Sequence, residues 1–517
     1  MVRECVAPRG QVQSESMTRT TRSALLLIGV LTLFRLFYGA QLGLAWDEAY
    51  YWQWSRHLDL SYYDQGPGIA YCIKLGTLLA GHTHLGVRLM PIVFAALGAW
   101  LTFLTTRRWL GEAVAWWMLV LLSLAPLYAA GSLLATYDSP LVVCWALALW
   151  LLTKALQENK PALWYAVGVS VALGIASKLT MLMVAPGVLL LLALVPDYRK
   201  WLKTPHPYLA FGIALLGVLP YVLWDRQHEQ MFSLHIQTLS RRHTDAAFGR
   251  WFGDFLAGQA LFVGLIAWLT ELWCLVRLKA ILRDEKSRAF VLAFTLPLLA
   301  VCIWTSLRSK LEINWPTTMH LASLLPVAVL FERLWRDGKK ALPGASMVLN
   351  VFLCLLAFFP GAPGKLGLTL PAAPFTKLNE PYGWPELMAQ TAAAGETLKA
   401  EGREVAYASV TYRVNSAMAF YLPGQPQTNG LYFNVRWDNY RLWTDEKALI
   451  GKSIVLVNDV DDEKESLPVA RKYFASVEPR KPILLTRPGY TGPVKHWYIT
   501  LCRDFKGYDP SAHRKGY

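Results

Sequence analysis

Two acidic side chains stand side by side where the chain leaves its first apolar stretch. Asp47 and Glu48 lie in Ala45-Trp-Asp-Glu-Ala-Tyr-Tyr-Trp-Gln-Trp54, and a third acid, Asp64, follows in Leu60-Ser-Tyr-Tyr-Asp-Gln-Gly-Pro-Gly68. A carboxylate pair at such a border costs desolvation energy that a substrate, a cation or a basic partner must offset. A solvated cap on a helix end is the plainer alternative. Tyr50, Tyr51, Trp52, Trp54, Tyr62 and Tyr63 surround the acids. Aromatic rings at headgroup level serve both as interface anchors and as platforms on which a sugar ring stacks. Anchoring explains the rings but leaves Asp64, set before Gly66-Pro67-Gly68, without a reason. Among the cations, Lys178 is the most telling, with no other charge within ten residues on either side. Its alternative reading is a lysine reaching to the interface along its apolar stem. Arg241-Arg242 reads equally as an ordinary charged loop.

The elements that must position these residues are apolar. Of 517 residues 54% are hydrophobic and 17% charged, and the mean hydropathy is +0.29. A soluble protein carries about a quarter charged residues, which excludes a cytosolic multidomain enzyme. Apolar stretches of about 16–22 residues suit a bilayer core, which about 20 helical residues cross. The fold class expected is a polytopic α-helical membrane protein with about eleven spans: 24–44, 87–106, 113–133, 139–153, 163–177, 180–195, 207–224, 256–276, 289–306, 317–332 and 345–360. Segment 69–80 is too short and reads as re-entrant or interfacial. With residues 1–23 as a cytoplasmic tail, the inner loops collect Arg107, Arg108, Lys154, Lys160, Arg199, Lys200 and Lys203. They also collect Arg277, Lys279, Arg283, Lys286, Arg288, Arg333, Arg336, Lys339 and Lys340, as the positive-inside rule asks. These charges account for the net +15 without a nucleic-acid partner. Outer loop 45–86 holds the acids, and residues from about 361 onward lie outside.

Residues 361–375 are a Pro-rich linker, with Pro363, Pro371 and Pro374 following Pro360. Beyond it, 376–517 alternates polar and apolar residues as a small soluble α/β domain does. Strands are expected at 404–408, 453–457, 482–486 and 497–501, and helices at 384–401 and 412–421. The 7 cysteines of the chain are scattered, without CxxC or zinc spacing, and Cys502 alone falls in the last domain.

Asp-Glu-Ala-Tyr-Tyr-Trp followed by Tyr-Tyr-Asp-x-x-Pro, after one N-terminal span, resembles the GT-C fold glycosyltransferases of family 39 type. Protein O-mannosyltransferases and the aminoarabinose transferase that modifies lipid A are of this kind. The resemblance continues through Ala135-Thr-Tyr-Asp-Ser-Pro-Leu141, Gly174-Ile-Ala-Ser-Lys-Leu-Thr180, Gly258-Gln259 and Lys310-Leu-Glu-Ile-Asn-Trp-Pro316. In the last domain, Ala419-Phe-Tyr-Leu-Pro-Gly-Gln-Pro426 and Asn439-Tyr-x-x-Trp443 look like the bacterial branch. Many members carry His or Lys and then Pro-Pro after the loop acid, where this chain has Asp64-Gln65-Gly66-Pro67.

The resemblance implies a glycosyltransferase that takes a sugar from a polyprenyl-phosphate donor on the outer face of the inner membrane, with inversion. Asp47 is the expected base for the acceptor hydroxyl, with Glu48 beside it. Lys178, Arg241, Arg242, Arg308 and Lys310 are the cations available to the departing phosphate. Tyr62, Tyr63, Asp64, Gln65, Asp138, Glu312 and Asn314 complete the expected donor and substrate contacts. Glu48, Asp64 and Asp138 suit sugar hydroxyls or a divalent cation, and the cofactor stays open. Asn314 and Trp315 read equally as a helix cap and a belt residue, and Arg35 as an interhelical contact. The acceptor is expected to be lipid A, core oligosaccharide or another envelope glycan, with protein serine or threonine as the alternative. A transporter or flippase would place its charges at mid-membrane in repeated halves. Here the acids sit at outer span ends and no repeat is visible.

Overall fold

The computed structural model describes residues 17–241, 248–371, 376–431 and 437–508. Among them six helices are long and apolar enough to cross a membrane: Arg19–Gln41, His84–Leu110, Asp138–Gln157, His206–Gln227, Glu285–Arg308 and Ala341–Phe358. Two bent pairs, Leu179–Leu194 with Pro196–Lys203 (119°) and Phe252–Val263 with Leu265–Val276 (110°), raise the count to eight. The eight coincide with eight of the eleven expected spans. The other three fall on Glu112–Leu124 and Ala162–Ile175, of 13 and 14 residues, and on the broken run Thr317–Met319, His320–Ser323 and Leu325–Arg336. At 1.5 Å per residue, the two short helices reach only about 20 Å of a core of about 30 Å.

Local chemistry explains several boundaries. Thr18 and Thr83 cap their helices by accepting from Thr21 N (3.1 Å) and Gly86 N (3.0 Å). His84–Leu110 ends on Arg107 and Arg108 before Gly111 at φ +88°, a left-handed stop that favours glycine. The 110° bend falls at Gly264, φ +90°. There a Cβ would stand 1.7 Å from Asn350 Oδ1, whose Nδ2 donates to Val263 O at 2.9 Å. The membrane core is built from Trp145, Leu149, Leu152, Trp164, Phe290 and Phe294, all buried.

The C-terminal part is a mixed sheet in the order Asn429–Gly430, Val405–Ser409, Ser453–Asn458, Lys495–Phe505, Phe474–Pro479, with Ile483–Leu485 also on Lys495–Phe505. The first three strands are parallel and the rest antiparallel. Helices Trp384–Ala400 and Tyr412–Tyr421 pack on it around Trp384, Leu387, Val414 and Trp497. The four expected strands and both helices are present; Phe474–Pro479 is an addition. Its burial is mostly one-sided and exposed, and Glu478-Pro479 lacks the β-branched run that marks a strand.

This domain sits directly on loop 45–86. Trp384 Nε1 donates to Leu44 O at 2.9 Å, and Tyr63 N donates to Asn439 Oδ1 at 2.8 Å. Gln53 Nε2 donates to the Tyr440 hydroxyl at 3.0 Å. Rings of helix Trp46–Arg56 meet those of Tyr412–Tyr421: Tyr50 against Tyr412 at 4.3 Å, Trp52 against Phe420 at 4.9 Å.

Candidate active site

The adjacent acids divide their work. Helix Trp46–Arg56 begins after Ala45, and Glu48 turns back to accept from Ala45 N at 2.9 Å, as a third-position glutamate does in a capping box. Its other oxygen accepts from Arg88 Nε at 2.8 Å and from Ala135 N at 2.9 Å. Arg88 Nη2 also donates to Glu48 Oε2 at 2.5 Å, which makes the pair bidentate, and the other Nη donors go to the carbonyls of Gly39, Leu42 and Gly43. Both side chains are fully buried. Glu48 therefore clasps the end of the first helix, the loop helix and segment 135–138 together, with its lone pairs committed to protein donors. Asp47, one residue earlier, points elsewhere. It is half-buried and accepts from the Tyr412 hydroxyl at 3.2 Å. Burial pushes its carboxyl above the usual aspartate range, Lys377 draws it back, and Glu380 and Asp64 push it further.

The second loop is held by glycines that admit close backbone. A Cβ on Gly66 would lie 2.2 Å from Ala176 O, and one on Gly68 2.9 Å from Ser177 Cβ. Gly68 N donates to Ala176 O at 3.0 Å. The backbone two and four residues after Asp64 is thereby docked on the 176–178 turn. Ser177 Oγ donates to Tyr137 O at 2.8 Å, which ties that turn to the start of helix Asp138–Gln157. Lys178 Nζ then meets Asp138 Oδ1 at 2.8 Å and lies 4.8 Å from the Tyr137 ring. Asn314 Nδ2 donates to Asp138 Oδ2 at 2.5 Å. The 310–316 loop is held from below: Gln259 Nε2 donates to Ile313 O at 2.9 Å, and His320 bridges Gln259 and Glu271 at 3.1 and 2.9 Å. Tyr137 sits at the centre, 5.7 Å from the Tyr51 ring. The charges of Asp138, Asp47, Asp64 and Glu312 all reach its hydroxyl.

The structure thus joins Asp138, Lys178 and Asn314 directly beside Tyr137, with Asp47, Asp64 and Glu312 in the same electrostatic neighbourhood. The other expected residues are placed as follows. Tyr62 stacks on Trp54 at 4.1 Å and accepts from Asp59 N at 3.1 Å, so it shapes the loop. Tyr63 is buried against His235 at 4.8 Å. The backbone carbonyl of Gln65 closes the turn by accepting from Tyr62 N at 3.0 Å. Arg308 lies over the Trp304 ring at 3.9 Å, and Arg308 and Lys310 are both exposed. Arg241 ends helix Met231–Arg241; its side chain and the whole of Arg242 fall outside the described residues. Three contributors escape the sequence reading: Arg88, the Tyr412 hydroxyl, and His235, whose Nε2 stands 3.7 Å from Asp64. Arg88 had one signal, a lone cation inside an apolar run. Among the described residues no group of three or more His, Cys, Asp or Glu side chains is gathered closely enough to hold a metal ion.

This arrangement offers a base of raised proton affinity beside a tyrosine, aromatic walls, and a lysine–carboxylate pair at the membrane border. The computed fold superposes on ArnT from Cupriavidus metallidurans bound to undecaprenyl phosphate with a TM-score of 0.63, covering 93% of this chain and 98% of that one at 14% identity. The apo form of the same protein gives 0.62 over the same shares at 13% identity. The chain has the GT-C glycosyltransferase fold. Residues 64–224 match the family model described as dolichyl-phosphate-mannose-protein mannosyltransferase. The lipid A galacturonosyltransferase RgtD of Rhizobium johnstonii is 26% identical over 315 residues, 61% of this chain. The match spans 66% of that relative's length. The matched stretch 64–224 contains Asp64, Asp138 and Lys178, the residues that hold the membrane side of the site.

Proposed function

We propose that this chain is an integral membrane glycosyltransferase that moves a sugar from a polyprenyl-phosphate donor to lipid A, core oligosaccharide or a similar envelope glycan. The reaction faces the outer side of the inner membrane, with the membrane part at 24–360 and the outer domain at 376–517. One observation carries the reading: Asp47, desolvated and hydrogen-bonded to Tyr412, lies in one acidic and aromatic cluster with Asp64 and Asp138, at the border of an ArnT-like membrane fold. The names of the relatives, a lipid A galacturonosyltransferase and a protein bound to undecaprenyl phosphate, support the acceptor and donor classes.

Asp47 takes the proton of the acceptor hydroxyl as that oxygen attacks the anomeric carbon. The bond to the donor phosphate breaks, and its electron pair leaves with the lipid phosphate. Tyr51, Tyr137 and Tyr412 offer faces and hydroxyls to the sugar, and Asp64 accepts from its hydroxyl groups. Lys178, neutralised by Asp138, contributes an oriented ion pair at the membrane border.

The test is transfer by the purified chain from radiolabelled polyprenyl-phosphate sugar, followed as release of free lipid phosphate. Mass spectrometry of envelope glycolipids from cells with and without the protein identifies the acceptor. A chain that binds the donor but releases no lipid phosphate would overturn the reading in favour of a transporter.

A further inference from the structure

Two ionisable side chains lie deep in the membrane part and take no place in the reaction drawn above. Glu271, on helix Leu265–Val276, and His320, which opens helix His320–Ser323, are 2% and 1% exposed. Such groups are costly at membrane depth and mark a functional position. His320 Nδ1 lies 2.9 Å from Glu271 Oε1, and its Nε2 lies 3.1 Å from Gln259 Oε1. The backbone fixes where the hydrogens are. Ile313 O can only accept, so the Gln259 atom facing it at 2.9 Å is the amide nitrogen. The Gln259 oxygen therefore accepts, and His320 Nε2 carries a hydrogen. One more proton must lie between His320 Nδ1 and Glu271 Oε1, because two lone pairs at 2.9 Å would repel. With it the pair has no net charge, whichever atom holds it.

This chain of bonds ends on the loop beneath the site. A Cβ on Gly258 would stand 2.4 Å from Ile313 Cγ2, so this glycine lets Ile313 seat, and Gln259 then holds its carbonyl. On the far side of the loop the Tyr128 hydroxyl donates to Thr317 O at 2.5 Å. Between these anchors stands Asn314, which donates to Asp138 Oδ2 and leaves Oδ1 to Lys178. We infer that Glu271, His320 and Gln259 are positioning residues, a one-proton link that sets Asn314 against Asp138 and thereby places the Lys178 ammonium. The inference rests on the proposed function, which puts the Asp138–Lys178 pair beside the reaction. Position 271 must supply one hydrogen bond toward Nδ1 and little else, since Glu271 Oε2 has no partner among the described residues.

The full chain in phosphatidylcholine nanodiscs is assayed for release of free lipid phosphate from radiolabelled polyprenyl-phosphate sugar. Glu271→Leu leaves Nδ1 unpaired and loosens the loop, so kcat should fall on the order of 10²-fold. Gln259→Leu cuts the same link next to the loop and should match it. Glu271→Gln should restore most of the loss, because its amide nitrogen donates where the shared proton stood. In an Asn314→Ala background, Glu271→Leu should cost no more than about twofold further, as residues that act through one contact do. Hydrogen exchange over 310–317 reads the link without catalysis: faster in Glu271→Leu and at the wild-type rate in Glu271→Gln. Lost activity in Glu271→Gln at wild-type exchange overturns the inference and makes Glu271 an ionisable relay. Independent losses in the double variant, or unchanged exchange in Glu271→Leu, overturn it as well. If the wild-type chain releases no lipid phosphate, the proposed function fails, and the exchange pattern still decides the link.

Discussion

At the scale of single residues, adjacency does not make Asp47 and Glu48 equivalent. Asp47→Asn keeps the shape and removes the basicity, so turnover should fall on the order of 10²–10⁴-fold with unchanged membrane content. Because burial holds this carboxyl protonated to higher pH than usual, the base is lost early as pH falls. The acid limb of kcat/KM should therefore lie above the ordinary aspartate value of about 3.9, and move or vanish in Asp47→Asn. A pH profile settles it; an acid limb at the ordinary value would remove Asp47 from the role. Glu48→Gln should behave as a structural lesion. Leaving Arg88 buried without its carboxylate costs about 3–5 kcal/mol, seen as a lower melting temperature and lost activity together. Lost activity at an unchanged melting temperature would instead place Glu48 in the chemistry. The pair was legible in the sequence because charges at an apolar border are conspicuous. Their division of labour was not, because it depends on Arg88, 40 residues away, and Tyr412, 365 residues away, and local pattern carries no such contact.

At the scale of elements, hydropathy located the helices, and eight of the eleven expected spans coincide with helices or bent pairs long enough to cross. A continuous apolar run reads as one span whether or not the backbone turns inside it, and the Gly264 bend depends on a positive φ that composition does not reveal. The loops were better marked, since Gly66-Pro67-Gly68 and Ser177-Lys178 stand out against their surroundings. What no spacing showed is that these loops touch. Gly66→Ala tests that contact directly, because its Cβ would stand 2.2 Å from Ala176 O and 2.4 Å from the Tyr221 hydroxyl. The substitution should destabilise by about 1–3 kcal/mol and lower turnover through displacement of Asp64. Thermal unfolding and kinetics measured together check it; a fully active, fully stable variant would mean that the two loops are not docked.

At the scale of the molecule, the site is closed from two sides, by membrane helices beneath and by the sheet domain above. That requires the first outer loop and the C-terminal domain to share one side of the membrane. Reporter fusions after residues 58 and 371 should both report the outside, and a fusion before residue 17 the inside. A cytoplasmic signal at 371 would contradict the Tyr412–Asp47 contact itself. The same contact has a consequence in time. Asp47 and Tyr412 are 365 residues apart, and ribosomes add about 5–20 residues per second. Helix Trp46–Arg56 thus waits roughly 20–70 s for the segment that covers its tyrosines and tryptophans. Throughout synthesis the nascent chain holds a half-built centre, with apolar rings uncovered and Asp47 without the Tyr412 hydroxyl. The centre closes only once the segment that carries Tyr412 has been made, so the order of synthesis sets when the site can assemble.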